Sequence, residues 1–320
     1  MIVVTGAAGF IGSCLVGKLN SEGYSDLILV DEFSMDENFN LKDKEWSQKV
    51  DRELFFGVYE KAEDIDFVFH IGAIADTMEQ DKELFDEFNL NYSKRIWEFC
   101  VEKNIPLIYA SSAACYGNGE FGYDDEDMSL IQKCKPLNLY GESKHDFDKW
   151  VLEQTQTPPF WYGLKFFNVF GPNEYHKKAM SSMIFHSYNQ ISKDGKMKLF
   201  KSYLPEYEDG MQLRDFIYVK DILDVIIFLM DKKDDSGIYN LGTGKARSFL
   251  DIANLVFKAL NKTPNVEFID MPLSIRDKYQ YFTEAKMNKL RSIGYDKSFH
   301  TLEDSIQEYI QQYLITNSFY

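Results

Sequence analysis

The sequence has few basic residues for its length. Its 320 residues include 35 Lys and Arg against 51 Asp and Glu, which gives a net charge of −16. A chain this acidic is a poor nonspecific binder of nucleic acid or of an anionic membrane, because both carry negative charge themselves. We therefore expect neither as a partner, and we expect any anionic ligand to be held by local groups.

Cysteines and long hydrophobic runs are also scarce. The four cysteines, Cys14, Cys100, Cys115 and Cys134, form no CxxC pair and no ligand-type spacing with the five histidines, so we predict no metal site. Cysteines without a pairing pattern are typical of a reducing cytosol, and we expect a cytoplasmic protein. No apolar run reaches the roughly 18 residues of a membrane span. The first residues, MIVVTGAAGF, lack the basic region of a signal peptide.

Short apolar runs that alternate with helical spacing dominate the first half of the sequence. Strand-like runs occur at 2–6, 26–31, 67–73, 106–113 and 161–169. Helical spacing lies between them, at 9–23, 81–103 and 140–156. Because parallel strands need a crossover helix, this alternation predicts an α/β fold with a Rossmann-type, doubly wound parallel sheet covered on both faces.

The alternation weakens after about residue 170. The segment LFKSYLPEYEDGMQ reads as a loop, and it precedes a strand at 215–219. Helices at 221–231, 248–261 and 301–315 and a strand at 266–270 follow. Because no linker is visible, we predict a smaller substrate lobe interleaved with the cofactor lobe. The cofactor lobe should hold 1–168, about 214–245 and about 278–304, and the substrate lobe 169–213, 246–277 and 305–320.

The motif TGAAGFIG predicts a dinucleotide site. It places Gly6, Gly9 and Gly12 directly after the first strand and at the start of a helix. A tight strand-to-helix turn needs glycine, as does close approach of main chain to a pyrophosphate. The helix start offers free N–H groups and a positive dipole end. Asp31 ends the next strand, where its carboxylate can accept hydrogen bonds from a ribose diol.

The segment YGESK predicts an acid–base pair. Tyr140 and Lys144 are four residues apart, and so on one face of a predicted helix. The ammonium should lower the pKa of Tyr140 from about 10, so that the phenol can take a proton from a sugar hydroxyl as hydride leaves for nicotinamide. Ser112, at the end of strand 106–113, can donate a hydrogen bond to the same oxygen. YxxxK alone is common on helices, but its place after a glycine turn favours catalysis.

At this point the sequence resembles the extended short-chain dehydrogenase/reductase superfamily, in its nucleotide-sugar modifying branch. The supporting segments are TGAAGFIG, HIGAIAD, NLNYSK, YASSAACYG, PLNLYGESK, FFNVFGP, RDFIYVKD and YNLGTG. Within it the sequence is most similar to the ADP-L-glycero-D-manno-heptose 6-epimerase family, through NVFGPNEYHKKAMSSMIFH, IYNLGTGKARSF and KYQYFTEAKMNKLRSIGYDK. That family inverts C6 of an ADP-heptose by transient oxidation with bound NAD(P), for lipopolysaccharide core heptose supply, and its members form oligomers.

The resemblance also gives a function to the lysine pair after the Gly-Pro turn. Two faces of one carbonyl must be handled, and family members are thought to use a second base, which falls on Lys177 here. Its pKa must be lowered, and we expect burial beside Lys144 or Lys178 to do this. Lys178 stands where the family more often has a small residue, so it is either a solvated neighbour or a phosphate ligand.

Further site residues follow from the resemblance alone. It implies cofactor contacts at Phe10, Ile11, Glu32, Arg52, Ile71, Gly72, Ala73, Ile74, Ala75, Asn89, Lys144, Val169 and Lys177. It implies substrate contacts at Asn168, Ala179, His186, Phe200, Lys201, Ser202, Tyr203, Arg214 and Tyr279. The loop after Phe200 is longer than usual in the family, and an alternative for His186 is a hydrogen-bonded core histidine.

The family points to NADP, whereas the residues after the second strand favour NAD. Asp31 is followed by Glu32, and a second carboxylate should repel a 2′-phosphate. A lysine that NADP-using relatives place nearby corresponds to Asn38, and Arg52 is one compensating cation. The alternative is that Glu32 points to solvent and has no influence.

Three other functions remain open at this stage. A dehydratase of the superfamily usually carries Asp-Glu directly after the serine or threonine of the strand end, where this chain has Ala113 and Ala114. A C4 epimerase shares the glycine turn and YxxxK but does not require Lys177. A nicotinamide-binding regulator without catalysis would not need the Ser-Tyr-Lys set.

Overall fold

The computed structural model describes residues 1–33, 39–60, 64–276 and 279–320. Strands and helices alternate through the first half of the chain, as expected. They are β1 Ile2–Thr5, α1 Phe10–Ser21, β2 Leu27–Asp31, a 3₁₀ helix Phe39–Leu41, β3 Gln48–Asp51, α2 Phe55–Tyr59, β4 Phe67–His70, α3 Lys82–Phe85, a π-helical segment Asp86–Asn91, α4 Tyr92–Lys103, β5 Leu107–Ser112, 3₁₀ helices Ala113–Tyr116 and Met128–Lys133, α5 Leu139–Leu152 and β6 Trp161–Phe166.

The second half holds shorter elements. They are β7 Asn168–Phe170, a 3₁₀ helix Tyr175–Met180, α6 Met183–Asp194, β8 Met197–Phe200, β9 Leu213–Tyr218, α7 Val219–Lys232, β10 Gly237–Leu241, β11 Ala246–Ser248, α8 Phe249–Ala259, β12 Val266–Ile269, α9 Leu273–Arg276, α10 Asn288–Ser292, α11 Leu302–Glu308 and a π-helical segment Tyr309–Leu314.

Seven parallel strands form the central sheet, in the order β10-β6-β5-β4-β1-β2-β3. Alternate residues of each strand enter two separate cores: Ile2 and Val4 lie in one and Val3 in the other. Both faces of the sheet are therefore covered, and the predicted doubly wound fold is confirmed. The strand order reverses between β1 and β4, where ligands bind in such folds, at the carboxyl ends of the strands.

Two small sheets complete the fold. β9 pairs parallel with β7 and antiparallel with β11, and β8 pairs with β12. The single strand expected at 161–169 is wrong: it is two strands in different sheets, because the chain turns at Phe167, whose N–H bonds to Leu241. The predicted division into two interleaved lobes stays a prediction.

Several helices begin at residues whose side chains cap them. Asp81, Asn138, Ser182, Ser248 and Thr301 each accept a hydrogen bond from a main-chain N–H of the first turn. Such caps satisfy donors that have no partner inside the helix. Across the described ranges, no helix combines the length and the apolar character needed to cross a membrane.

A buried ion pair joins helix α5 to strand β6. Lys165 donates to Asp148, and both side chains are fully buried. Asp148 also accepts from Tyr109 at 3.1 Å and from Ser111 at 2.7 Å. Burial lowers the pKa of Lys165, but the charge of Asp148 and neighbouring groups raise it above its ordinary value. The pair fixes α5 against the sheet.

We expect Lys165→Met to destabilise the fold by about 3–5 kcal/mol, because it leaves Asp148 buried without its cation. Urea unfolding of purified protein measures this. The matched control is Lys149→Met, which breaks a half-exposed pair with Asp146 on the same helix and should cost about 1 kcal/mol or less. Equal effects of the two substitutions would contradict the role given to the buried pair.

Candidate active site

The glycine turn after β1 forms the floor of a cavity. Gly6 has a φ of +67°, and a side chain there would collide with Gly72 at the end of β4. A side chain at Gly12 would collide with the carbonyl oxygen of Gly6. Helix α1 starts without a side-chain cap and without an acidic residue in its first turn. This helix start suits a pyrophosphate, because its main-chain N–H groups face the cavity and no side chain caps them.

The carboxylate of Asp31 is oriented by main-chain donors. It accepts from Ala8 at 2.8 Å and from Glu32 at 2.8 Å. Burial raises its pKa, and these two hydrogen bonds oppose the change. Among the described residues these are its two hydrogen-bond donors, and the carboxylate can accept further hydrogen bonds from a ribose diol. Glu32 is exposed and pairs with Arg52 at 2.7 Å, and the Arg52 guanidinium lies 4.0 Å from the centre of the Phe88 ring.

The cofactor cavity measures 380 Å³. It collects most of the predicted cofactor residues: Gly6, Gly9, Phe10, Ile11, Gly12, Asp31, Arg52, Ile71, Gly72, Ala73, Ile74, Ala75 and Lys177. Val169 and Lys144 line the adjoining cavity instead. Asn38, considered above for NADP, lies outside the described residues. A nicotinamide dinucleotide fits this wall in shape and in donor chemistry.

Asn89 lies behind the cavity wall rather than in it. Its side chain is fully buried, accepts from Ile74 N at 2.8 Å, and donates to Ile74 O and to Ser143 Oγ. The π-helical segment Asp86–Asn91 gives it this position. Asn89 therefore holds the wall residue Ile74, and a direct cofactor contact by its side chain stays a prediction.

The Ser-Tyr-Lys set lines a second cavity of 610 Å³. Asn138 caps α5, which places Tyr140 in the first turn and Lys144 one turn later. Ser112 ends β5, beside the start of α5. The two cavities share Phe10, Ile11, Ile71, Ala73, Ala75 and Lys177. The predicted acid–base groups are thus brought to the border of the cofactor cavity.

The lowered pKa predicted for Tyr140 is not found. Burial raises the pKa of Tyr140 to about 12, and a hydrogen bond with Ser112 opposes this. Lys144 donates instead to the carbonyl oxygen of Ala110, at 2.9 Å. Burial lowers the pKa of Lys144 itself to about 8, while Asp148 acts in the opposite direction.

Lys177 lies at the junction of the two cavities. Its ammonium is 5.6 Å from the centre of the Phe10 ring, at the start of α1. Burial lowers its pKa, and the charge of Glu174 raises it. The direction and its cause, burial, are the expected ones, and the charge that acts on this ammonium is that of Glu174 rather than that of Lys144 or Lys178. Lys178 is exposed and has a φ of +50°, which explains why a small residue suits that position.

Contacts from other elements hold the turn that carries Lys177. Glu174 is fully buried and accepts from Ser182 N and Oγ, from Gly171 N and from Tyr309 OH. Asn173 donates to Ser13 Oγ at 2.9 Å and accepts from Tyr320 N at 2.9 Å. These contacts fix the turn against helix α1 and the C-terminal segment.

Seven of the nine predicted substrate residues divide among three cavities, and Phe200 and Lys201 line none of these. Asn168, Ala179 and His186 line the 610 Å³ catalytic cavity. Arg214 and Tyr279 line an outer cavity of 730 Å³, which shares Thr77, Ala114, Asn138 and Gln280 with the catalytic one. Phe200 contacts the ring of Tyr279, and Lys201 pairs with Asp270. Ser202 and Tyr203 line a separate, open cavity of 840 Å³.

The sequence reasoning missed some residues of the cofactor cavity. His176, Phe88 and Tyr92 line it as well. Asn40 donates to Ala8 O at 3.0 Å and to His176 Nδ1 at 3.1 Å. His176 precedes Lys177 in a segment already singled out, so its position was a usable signal. The Asn40 contact spans 136 residues, and no local pattern points to it.

A comparison of the sequence with models of known protein families shows which family has this arrangement of residues. The model of the NAD dependent epimerase/dehydratase family matches residues 2–242. The chain belongs to this family. Its site is accordingly one for a nicotinamide cofactor, and the epimerase predicted from the sequence is confirmed.

Relatives that match over the full length of the chain indicate a more specific similarity within this family. The chain is 48% identical to the ADP-L-glycero-D-manno-heptose-6-epimerase of Fusobacterium nucleatum, with 100% of both chains covered. It is 45% identical to the enzyme of that name from Nitratidesulfovibrio vulgaris, with 98% of both covered. The crystal structure of the Helicobacter pylori ADP-L-glycero-D-manno-heptose-6-epimerase superposes with a TM-score of 0.79 at 28% identity, covering 97% of this chain and 95% of that one. The resemblance predicted from the sequence is confirmed.

We expect Lys144→Met to change how stability depends on pH. The folded pKa of about 8 lies below the ordinary 10.5, so the unfolded chain binds more protons between these values. The free energy of unfolding of the wild type should therefore rise relative to that of the variant by about 2 kcal/mol between about pH 8 and about pH 10.

Urea unfolding across this range measures the difference between the two proteins. Lys149→Met, on the same helix, is the control, and it should retain the pH dependence of the wild type. A constant difference between wild type and Lys144→Met over the whole range would contradict the lowered pKa.

Proposed function

We propose that this chain inverts C6 of ADP-D-glycero-β-D-manno-heptose, giving ADP-L-glycero-β-D-manno-heptose. The observation that carries the proposal is that Tyr140 and Lys177 line one cavity, at its border with the cofactor cavity. The two groups come from different elements, α5 and the turn after β7. Inversion through a planar carbonyl requires proton transfer in two orientations, and two separate groups supply it.

The chemistry divides among a few side chains. A nicotinamide dinucleotide held by the glycine turn and Asp31 would supply reversible hydride transfer at C6. In one orientation Tyr140 takes the hydroxyl proton, and Ser112 holds the same oxygen by a hydrogen bond. In the other, Lys177 gives or takes the proton, for which its lowered pKa suits it. Lys144 lies one helical turn from Tyr140 and contributes positive charge beside the site.

The outer cavity has the donors for the ADP part of the substrate. Arg214 is 7% exposed and its guanidinium lies 5.4 Å from the centre of the Tyr279 ring. A guanidinium fork suits a diphosphate because it can donate to two oxygens. His186 faces the catalytic cavity, with its Nε2 3.2 Å from Ala179 O. The substrate would then extend from Tyr140 toward Arg214.

The cellular setting belongs to the same proposal. An ADP-heptose epimerase supplies heptose for the lipopolysaccharide core, and we place the enzyme in the cytoplasm as an oligomer. The four cysteines are free and buried, which suits a reducing compartment. A dehydratase is less well supported, because Ala114 lines the catalytic cavity where elimination would need an acid.

We expect purified protein to epimerise ADP-D-glycero-β-D-manno-heptose, followed at C6 by proton NMR. Tyr140→Phe and Lys177→Met should each reduce turnover about 100-fold or more, because each removes one proton carrier. Cofactor should remain bound in both variants. With a 6-ketone analogue and reduced cofactor, each variant should give the C6 alcohol in one configuration only.

Lys178→Met is the matched control, since it changes the exposed neighbour. Near-normal turnover in Lys177→Met would contradict the second base. Activity on a different nucleotide sugar, with none on the ADP-heptose, would overturn the substrate.

We propose further that the chain prefers NAD to NADP. Asp31 and Glu32 are both acidic, and Arg52, the cation that lines this end of the cavity, is already paired with Glu32 at 2.7 Å. A 2′-phosphate would meet a local charge that is negative overall. A single charge pair at about 4 Å is worth about 4 kcal/mol at an effective dielectric of about 20, before screening reduces it.

Titration of dinucleotide-free protein with each form measures this preference. NAD should bind more tightly, and mass spectrometry should find NAD in protein as purified. Glu32→Gln should improve NADP binding about fivefold or more by releasing Arg52. Glu22→Gln, which alters an ion pair with Lys18 on α1, is the control. Tighter binding of NADP by the wild type would overturn the preference.

A further inference from the structure

Residues Ser318–Tyr320, here called the docking segment, lie against the turn that carries Lys177. The main-chain N–H of Tyr320 donates to Oδ1 of Asn173, at 2.9 Å. The hydroxyl of Tyr175 donates to the carbonyl oxygen of the first residue of the segment, at 2.8 Å. The docking segment therefore binds the turn at two points, both of which precede Lys177 closely in the chain.

The chemistry of these contacts leaves one direction for each hydrogen bond. A main-chain N–H can only donate, so the Asn173 atom that it meets must be the amide oxygen, and the amide nitrogen faces Ser13 Oγ of α1, at 2.9 Å. Asn173 is fully buried and has a φ of +74°, which asparagine tolerates better than most residues. Burial raises the pKa of Tyr175, so its hydroxyl stays protonated and donates. The Tyr175 ring also meets that of Phe319 edge to face, with ring centres 5.3 Å apart.

The docking segment is itself anchored away from the turn. Lys44 donates to the main-chain oxygen of Tyr320. The ring of Tyr320 packs over Gly17 of α1, and the ring of Phe319 stacks on that of Phe39, with ring centres 6.3 Å apart. The segment therefore ties the turn to helix α1 and to the part of the chain that follows β2.

The turn passes this restraint to one of the two proposed bases. The N–H of Lys177 donates to the carbonyl oxygen of Glu174, at 3.0 Å, and Glu174 lies between the two docked residues, Asn173 and Tyr175. The other base, Tyr140, lies on α5. In the part of the chain that the structure describes, the docking segment makes no hydrogen bond and no ring contact with α5. Loss of the segment should therefore loosen Lys177 and leave Tyr140 in place.

We propose that the docking segment positions Lys177, so that its ammonium can exchange a proton with the C6 oxygen, and that it has no part in proton transfer to Tyr140. Asn173 and Tyr175 are then positioning residues, which act through the turn and do not touch the substrate. The inference rests on the second base proposed above and adds what holds that base in place.

A variant that ends at Asn317 tests the proposal. With a 6-ketone analogue and reduced cofactor, the wild type should give the C6 alcohol in both configurations, and Tyr140→Phe and Lys177→Met assign each configuration to its base. The shortened variant should form the Lys177-dependent alcohol about 10- to 100-fold more slowly, because a small displacement of a reacting group is costly. It should form the other alcohol at the wild-type rate and bind NAD as the wild type does in a calorimetric titration. Equal losses of both alcohols, no loss of either, or a matching loss of NAD binding would overturn the proposal.

Tyr175→Phe tests the same contact with a single hydroxyl removed. It should slow formation of the Lys177-dependent alcohol about 3- to 10-fold, as expected for one hydrogen bond. Tyr188→Phe is the matched control, since Tyr188 also donates to a carbonyl oxygen, that of Leu314, at 3.1 Å, but from α6. This control should form both alcohols at the wild-type rate. If the two substitutions have equal effects, packing of the whole terminal region explains them and the proposal is wrong.

A titration of Lys177 separates this inference from the proposed substrate. Lysines are labelled by reductive carbon-13 methylation and followed by NMR, and the signal of Lys177 is the one absent from Lys177→Met. Burial lowers the pKa of Lys177 in the wild type, so a loosened and better hydrated ammonium in the shortened variant should have a higher pKa. An unchanged pKa would overturn the positioning role. The expected rise, together with a wild type that forms neither alcohol, would support the positioning role and reject the proposed function alone.

Discussion

The close approach of helix α1 to the glycine turn is the constraint on which the site depends. Gly12 lies against the carbonyl oxygen of Gly6, and Gly6 lies against Gly72 of the neighbouring strand end. This packing leaves no room for side chains at Gly6 and Gly12, so main-chain donors form the floor of the cavity. A chain with a net charge of −16 can thus hold a pyrophosphate without a cluster of lysines. A bound pyrophosphate would meet main-chain dipoles that packing holds in place, rather than the negatively charged side chains of the surface.

The main sheet could be predicted because its strands are buried on both faces. β1, β2, β4, β5 and β6 are continuous apolar runs, which is the pattern of a covered parallel sheet. β3, QKVD, was missed because it is a half-exposed edge strand. β8 and β11 were missed because they are only four and three residues long and partly exposed. Runs this short hold too few residues to show a periodicity.

The site was predictable at the level of motifs but not at the level of contacts. The glycines, Asp31 and Tyr140 stand in spacings that report their chemistry, whereas Lys177 was assigned through the family resemblance. The structure places all of them along two adjoining cavities. The environment of each group depends on residues elsewhere. Lys144 was expected to act on Tyr140, yet it donates to Ala110 O. His176 lies with its Nδ1 3.1 Å from the amide nitrogen of Asn40, in a different part of the chain. Such contacts are set by packing, which sequence spacing does not encode.

The pKa of Lys177, the lysine after the Gly-Pro turn, depends on which groups contact the carboxylate of Glu174. A carboxylate paired directly with Lys177 would hold the ammonium in its charged form and raise its pKa. Glu174 instead accepts hydrogen bonds from Gly171, Ser182 and Tyr309, which are neutral donors. Its charge still attracts Lys177, but less than burial opposes the ammonium, so the pKa of Lys177 is lowered. The same carboxylate therefore anchors the turn while the pKa of its lysine stays below the ordinary value.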